Sequence, residues 1–224
     1  MMTTKPILIE TSDHSHTLFI PEMDEYYHSR FGAIKESLHI FIRNGYEKTN
    51  KKDPLHIFEV GFGTGLNALI TFMKALQDNR KIFYSGIELY PLEPSVYTQL
   101  NYPKILHVDP SIFLKIHELS WDREHRFSNN FTISKIHADF LHYRFTRKYD
   151  LVYFDAFGPD KQPEMWEEPR LKTIFEALLP GGIFITYSAK GSLRRTLIKT
   201  GFRVKRIPGP PGKREIIFAI KPGK

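Results

Sequence analysis

Asp155 closes an apolar run, Leu151 to Phe154, and Phe157, Pro159, Pro163 and Trp166 follow at once. A continuous apolar run of this kind reads as a strand buried in a parallel sheet. An acid at its C-terminal end sits on the edge where open α/β folds place their ligands. The prolines stiffen the loop that follows. One carboxylate is thereby aimed at an aromatic-lined pocket. A second feature of the same kind is GFGTGLN, residues 61–67, fed by the apolar run Leu55–Val60. Gly61, Gly63 and Gly65 let the backbone turn tightly and approach a ligand, and a helix N-terminus follows. Leu66 stands where the dinucleotide fingerprint has its last glycine, and no Walker lysine is present. Glu88 ends the next apolar run, placed to accept hydrogen bonds from ribose hydroxyls. Asp139 and Phe140 end another, where a carboxylate and a ring face suit an adenine. One acid at a strand end is ordinary. Three on successive strands, beside a glycine loop, point to a nucleoside site.

The elements that must position these residues alternate. Strands are predicted at Leu55–Val60, Ile82–Glu88, Phe131–His137, Leu151–Asp155 and Ile183–Tyr187. Helices are predicted at Leu66–Gln77, Pro94–Leu100, Pro110–Leu119, Glu168–Leu178 and Leu193–Thr200. Such alternation predicts a mostly parallel sheet covered by helices. Phe202–Ile207 and Glu215–Ile220 are strand-like, and the connector between them is too short for a parallel crossover, so this pair is antiparallel. Ahead of the sheet lie a short strand pair (Ile7–Thr11, Thr17–Ile20) and a helical run from Tyr27 to Arg43, with Ile34, Leu38 and Ile42 as its buried stripe. Trp121 to Asn130 reads as a loop or small hairpin. We divide the chain into an N-terminal extension, residues 1–53, and a main domain, residues 54–224.

The absence of cysteine excludes disulfides and thiolate metal sites and fits a reducing cytoplasm. No apolar run is long enough for a membrane span, and the N-terminus lacks an apolar signal core. His14 and His16 read as surface residues, so no metal is expected. A net charge of +7 favours a polyanionic partner, with nucleic acid first.

The residues Glu59 to Gly65, Glu88 and Asp139–Phe140 resemble the motifs of class I S-adenosylmethionine-dependent methyltransferases, a Rossmann-like α/β fold whose last strand inserts antiparallel. DAFGPDKQPEMW (residues 155–166), GGIFITYSAKGSLRR (181–195), PGPPGKREIIFAI (208–220) and DEYYHSRFGAIKES (24–37) narrow the resemblance. Together they are similar to the MnmC/MnmD family of tRNA 5-methylaminomethyl-2-thiouridine biosynthesis. Tyr27 and His28 depart from that family's Phe-Ser, Ala33-Ile34 follows Gly32, Gly158 replaces a common alanine, and residues 101–130 match poorly.

The resemblance implies methyl transfer from S-adenosylmethionine to the primary amine of 5-aminomethyl-(2-thio)uridine at the tRNA wobble position. It also implies that the flavin module of two-domain relatives is not part of this chain, so no FAD is expected. On this reading Tyr26, Gly61, Phe62, Gly63, Thr64, Gly65, Asn67, Glu88, Asp139 and Phe140 hold the cofactor, Tyr26 by family position alone. Glu59 tethers the glycine loop. Asp155 is the catalytic candidate, either accepting the amine's proton or holding the amine in line. Phe157 and Trp166 either stack on a flipped-out base or pack under the loop, and Tyr187 lines the same pocket. Lys161, Lys190, Arg194, Arg195, Lys213 and Arg214 are the candidate RNA contacts, with a solvated basic face as the alternative. The competing class is a methyl- or aminopropyltransferase acting on a small free amine, whose site should be rich in acids. A third is an RNA-binding protein without activity.

Overall fold

The computed structural model describes residues 5–50 and 53–223. Three short antiparallel strands come first: β1 (Ile7–Glu10), β2 (His16–Ile20) and β3 (Glu25–Tyr26), in that order across their sheet. Helix α1 (Ala33–Ser37) continues as a π-helical turn over Leu38–Arg43. The alternating part follows as β4 (Leu55–Val60), α2 (Leu66–Gln77), β5 (Ile82–Glu88), the short α3 (Pro94–Tyr97) and α4 (Tyr102–Ile105), then α5 (Pro110–Glu118). Next come β6 (Arg123–Arg126), β7 (Phe131–His137), β8 (Tyr149–Phe154), α6 (Glu168–Ala177), β9 (Leu178–Thr186), α7 (Gly191–Thr200), β10 (Arg203–Pro208) and β11 (Glu215–Ile220).

The main sheet has the order β10-β11-β9-β8-β4-β5-β7-β6. Its five central strands, β9 to β7, are parallel. β11 inserts antiparallel between β9 and β10. From β4 the chain builds outward first through β5 and β7, then returns to lay β8 on the other side. The crevice between the ends of β4 and β8 is therefore a switch point, where open α/β sheets bind ligands. The glycine loop leaves β4 there, and Asp155 leaves β8 beside it, its N–H donating to Val60 O at 2.9 Å.

Strand alternation fixes which residues face each layer. Leu151 and Tyr153 join the core under α1, α2 and α5, while Val152 and Phe154 join the core under α6 and α7. Burying a side chain of this kind contributes about 1.5–3 kcal/mol, so the strands that carry the site are firmly held. Local signals set the helix ends. Asp109 caps α5 by accepting Ser111 N–H at 2.8 Å, ahead of Pro110. Gly201, at φ 113°, ends α7.

Two segments depart from the sequence reading. The helix expected from Tyr27 begins only at Ala33. Gly32 at φ 133° breaks the run, and His28 N–H donates to Thr17 Oγ1 instead of starting a helix. Residues 27–32 form a connection that crosses the C-terminal edge of the main sheet. The interval after Trp121 holds β6, paired antiparallel with β7 as an edge strand. Its sequence, REHR, has no apolar alternation to announce it, and charge suits an exposed edge.

Candidate active site

The three loop glycines adopt positive φ: 86° at Gly61, 47° at Gly63 and 71° at Gly65. Close approach favours glycine at all three. A Cβ on Gly61 would lie 2.7 Å from Asp155 O, one on Gly65 2.9 Å from His117 Nε2, and one on Gly63 3.0 Å from the Tyr27 ring. The loop's anchor is Glu88. Its Oε2 accepts Gly63 N–H at 3.0 Å, and its Oε1 accepts the N–H groups of Leu89 and Tyr90, both at 2.9 Å. Burial raises the Glu88 pKa despite these bonds. With two lone-pair sites per oxygen, Oε2 keeps one acceptor position for a ligand hydroxyl.

A cavity of about 220 Å³ opens over this loop. Glu88, Asp139 and Phe140 line it, as do Tyr27, Leu89, Tyr90, Leu141 and Met165. Asp139 gives Oδ1 to Leu141 N–H at 2.8 Å, and its other oxygen stands 3.9 Å from His142 Nδ1. Phe140 is a wall packed against Phe154, with the Arg170 guanidinium 4.5 Å from its ring. Leu89 and Tyr90 are exposed at the rim, an arrangement that covers a flat ligand's edge.

Several predicted cofactor residues lie elsewhere. Tyr26 packs on Phe19 with ring centroids 4.7 Å apart, and the neighbouring Tyr27 covers the glycine loop. Phe62 turns into the core against Trp121 and His117. Thr64 is buried, its hydroxyl 2.8 Å from His28 Nε2. Gly65 sits over His117, whose Nε2 is 3.1 Å from Thr64 O. These residues shape the loop from below. Asn67 is also buried, and its Nδ2 donates both to Glu59 Oε1 at 2.9 Å and to Asp155 Oδ2 at 2.8 Å. Glu59, fully buried, accepts Tyr84 Oη–H at 2.6 Å and touches no loop amide. Its link is to Asp155 through Asn67, and burial holds its pKa well above the usual carboxylate range.

Asp155 stands where the first cavity meets a second of about 320 Å³. Desolvation and the nearby Glu36 carboxylate push its pKa up to about 7, against the Asn67 hydrogen bond and Lys213. Phe157 and Tyr187 line the second cavity. Phe157 meets the Tyr27 ring edge-on at 5.2 Å, and Tyr187 Oη–H donates to Ala156 O at 3.0 Å. Trp166 packs on Phe154 and donates Nε1–H to Phe157 O at 2.8 Å. It is buried under the loop, so it braces Phe157 and offers no face for stacking. Lys161 is exposed at the cavity mouth, and Lys190 is paired there with Asp160. Arg194, Arg195 and Arg214 are exposed on α7 and the C-terminal hairpin. Lys213 is turned inward onto Glu36 at 2.6 Å, which removes it from the surface patch. Glu36 was not among the predicted site residues, although it lies within the N-terminal stretch that carried the resemblance. His14 bonds Glu10 and His16 bonds Gln99 O, each within 3.0 Å.

Residues 115–222 match a family described as S-adenosyl-L-methionine-dependent methyltransferase. The bifunctional protein MnmC of tRNA 5-methylaminomethyl-2-thiouridine biosynthesis from Actinobacillus pleuropneumoniae serotype 5b is 25% identical over 99% of this chain. The solved structure of MnmC2 from Aquifex aeolicus superposes with a TM-score of 0.80 at 26% identity, covering 99% of this chain and 72% of that one. Over residues 115–222 the chain is similar to S-adenosyl-L-methionine-dependent methyltransferases. It has their class I fold, and it spans 36% of the length of the Actinobacillus protein. Spermidine synthase from Thermotoga maritima shares the fold alone, with a TM-score of 0.57 at 13% identity.

The residues present fit S-adenosylmethionine. The glycine loop gives close backbone approach, Glu88 Oε2 and Asp139 leave acceptor positions, and Leu141 with Met165 gives an apolar slot. Glu88 and Asp155 line this cavity, and in their ionised form such carboxylates favour a ligand that carries positive charge.

Proposed function

We propose that this chain is a methyltransferase acting on the primary amine of 5-aminomethyl-(2-thio)uridine at the wobble position of tRNA, in the cytoplasm. The observation that carries this reading is the position of Asp155: one carboxylate, with its pKa raised to about 7, at the junction of a cavity lined by the glycine loop, Glu88 and Asp139 and an aromatic, basic-rimmed one. S-adenosylmethionine, when bound, supplies an electrophilic methyl group on a positively charged sulfur. Everything else falls to the protein. An alkylammonium has no lone pair, so one proton must leave before attack. Asp155 is matched to that task, because a base works best with a pKa near the operating pH. It also holds the amine at the boundary between the two cavities, which favours transfer by orientation. Positive charge developing on the amine as it took the methyl group would lie next to Asp155, which would stabilise it.

The surrounding groups suit this division of labour. The Tyr27 and Tyr187 phenols are pushed above their ordinary range by burial and stay protonated. His28 is pushed down to about 4 by burial, so it stays neutral and competes for no proton. Phe157, braced by Trp166, presents a ring at the cavity wall for a displaced base. Lys161 adds positive charge at the cavity mouth, and Arg194, Arg195 and Arg214 are further exposed cations suited to a phosphate backbone. A small-amine transferase shares the acids, since Glu25 and Glu36 also line the second cavity. Its product would be a free polyamine derivative. Incubation with methyl-labelled S-adenosylmethionine separates the two, with aminomethyl-uridine tRNA and a diamine offered in parallel. Label should enter the RNA. Label in the diamine alone would reject the RNA reading.

A further inference from the structure

Lys213 enters the second cavity from the turn between β10 and β11. Its Nζ lies 2.6 Å from Glu36 Oε1 and 4.8 Å from the centroid of the Tyr187 ring. Glu36 Oε2 accepts Ser29 N–H at 2.7 Å. Glu36 is buried on α1, and Lys213 is mostly withdrawn from water. Both line the cavity that Asp155 lines. Two residues 177 apart in sequence thus each contribute one charge to the cavity that Asp155 lines. Attachment of the turn does not depend on this bridge. His39 Nε2 lies 2.9 Å from Pro208 O, and the Phe31 ring packs against Gly212. A buried ion pair carries a desolvation cost that its own attraction often fails to offset, which points away from a purely stabilising role.

We propose that Glu36 and Lys213 are positioning residues of the acceptor pocket that act on Asp155 with opposite sign, the Glu36 carboxylate repelling its ionised form and the Lys213 ammonium attracting it. The purpose of this pair rests on the methyl-transfer reading above, while the charge arrangement belongs to the free protein. The direction of the Asp155 shift agrees: Glu36 raises it and Lys213 lowers it.

Other groups around Asp155 are neutral, paired or solvated. On the β4 side Glu59 is bonded by Tyr84 and Asn67, with its pKa raised by burial, and on β5 Glu88 is tied to backbone N–H groups. From the N-terminal segment, His28 and the Tyr27 phenol are neutral near pH 7, and Glu25 is partly exposed. Tyr187, at the end of β9, is protonated. On the rim Lys190 pairs with Asp160, and Lys161 is exposed. Arg30, which also lines the cavity, is exposed and lies over the Tyr26 ring. Among the described residues, Glu36 is the most buried charge lining the cavity, and Lys213 is its partner.

The test is carboxyl-carbon NMR of the full chain labelled at aspartate, with the Asp155 signal assigned by its loss in Asp155→Asn. Glu36→Gln should lower the Asp155 midpoint by about half a pH unit or more, and Lys213→Met should raise it by a similar amount. Lys213→Arg should leave it near wild type. Midpoints that stay together, or move the same way in Glu36→Gln and Lys213→Met, would overturn the proposal. Glu36→Gln keeps the side-chain shape and an acceptor for Lys213, so it carries the test if Lys213→Met does not fold. The pH dependence of turnover on tRNA should follow the NMR midpoints. Opposite NMR shifts in a protein inactive on tRNA would reject the acceptor and uphold the pair. Activity on tRNA with unmoved midpoints would do the reverse.

Discussion

The two cavities share Asp155 and are built in different ways. The first is made almost wholly from the C-terminal ends of β4, β5, β7 and β8 and the loops that leave them. Each of its polar groups is fixed by a neighbour close in sequence or one strand away, as Glu88 is by Leu89, Tyr90 and Gly63. The second is assembled by closure of the chain on itself. Its walls come from the segment after β3, from α1, from the loop after β8, from the end of β9 and from the β10–β11 turn. A site of the first kind is specified by short patterns. A site of the second kind exists only once the whole fold has formed, so it is also the place where acceptor choice can vary without disturbing the cofactor.

This difference also decides what the sequence could reveal. The glycine loop, Glu88, Asp139 and Asp155 were legible because each ends an apolar strand, and strand ends of a parallel sheet converge on one edge. The antiparallel end was legible from the short connector. Tyr27 was missed by one residue. Neighbours in an extended segment point to opposite sides, so Tyr26 goes to Phe19 and Tyr27 to the glycine loop. Asn67 was assigned a ligand contact, and Trp166 was left between stacking and packing under the loop; their partners are Glu59, Asp155 and Phe157 O, which only the folded structure brings near. Lys213 looked like one more surface cation, and nothing in its local sequence names Glu36. β6 was legible only as a loop or small hairpin, because its four polar residues carry no pattern that would mark a strand.

Separating the two cavities by mutation should give effects of distinct size and kind. Asp155→Ala should reduce turnover by about 10²- to 10⁴-fold, with cofactor affinity changed by only a few-fold in calorimetry. A loss confined to cofactor binding would assign Asp155 to the cofactor alone. Glu88→Gln should do the opposite, weakening cofactor binding about tenfold through lost charged hydrogen bonds, with little change in the KM for tRNA.

A third expectation concerns stability. The Asp155 pKa is raised in the fold, so the native state prefers it protonated. Its ionisation costs stability progressively as pH rises from the ordinary carboxylate value through about 7, and the cost is complete above that. Asp155→Asn should therefore melt higher than wild type at pH 8, by about 2–6 °C, and match it at pH 4. Equal melting at both pH values would mean that Asp155 is well solvated. The smallest effect belongs to the outer surface. Replacing Arg194 and Arg195 together by alanine should weaken tRNA binding about tenfold at low salt and reduce the salt dependence by one to two phosphate contacts, roughly. Cofactor binding should be unaffected. An unchanged salt slope would place the RNA on another face.

The most direct measurement is nucleoside analysis after reaction with methyl-labelled S-adenosylmethionine. The tRNA carrying aminomethyl-uridine is digested, and the label is followed through chromatography. We expect label in 5-methylaminomethyl-uridine or its 2-thio form with the wild-type protein, and none with Asp155→Ala. An unlabelled wobble nucleoside, beside a labelled diamine in the same mixture, would contradict the assignment of the second cavity to RNA.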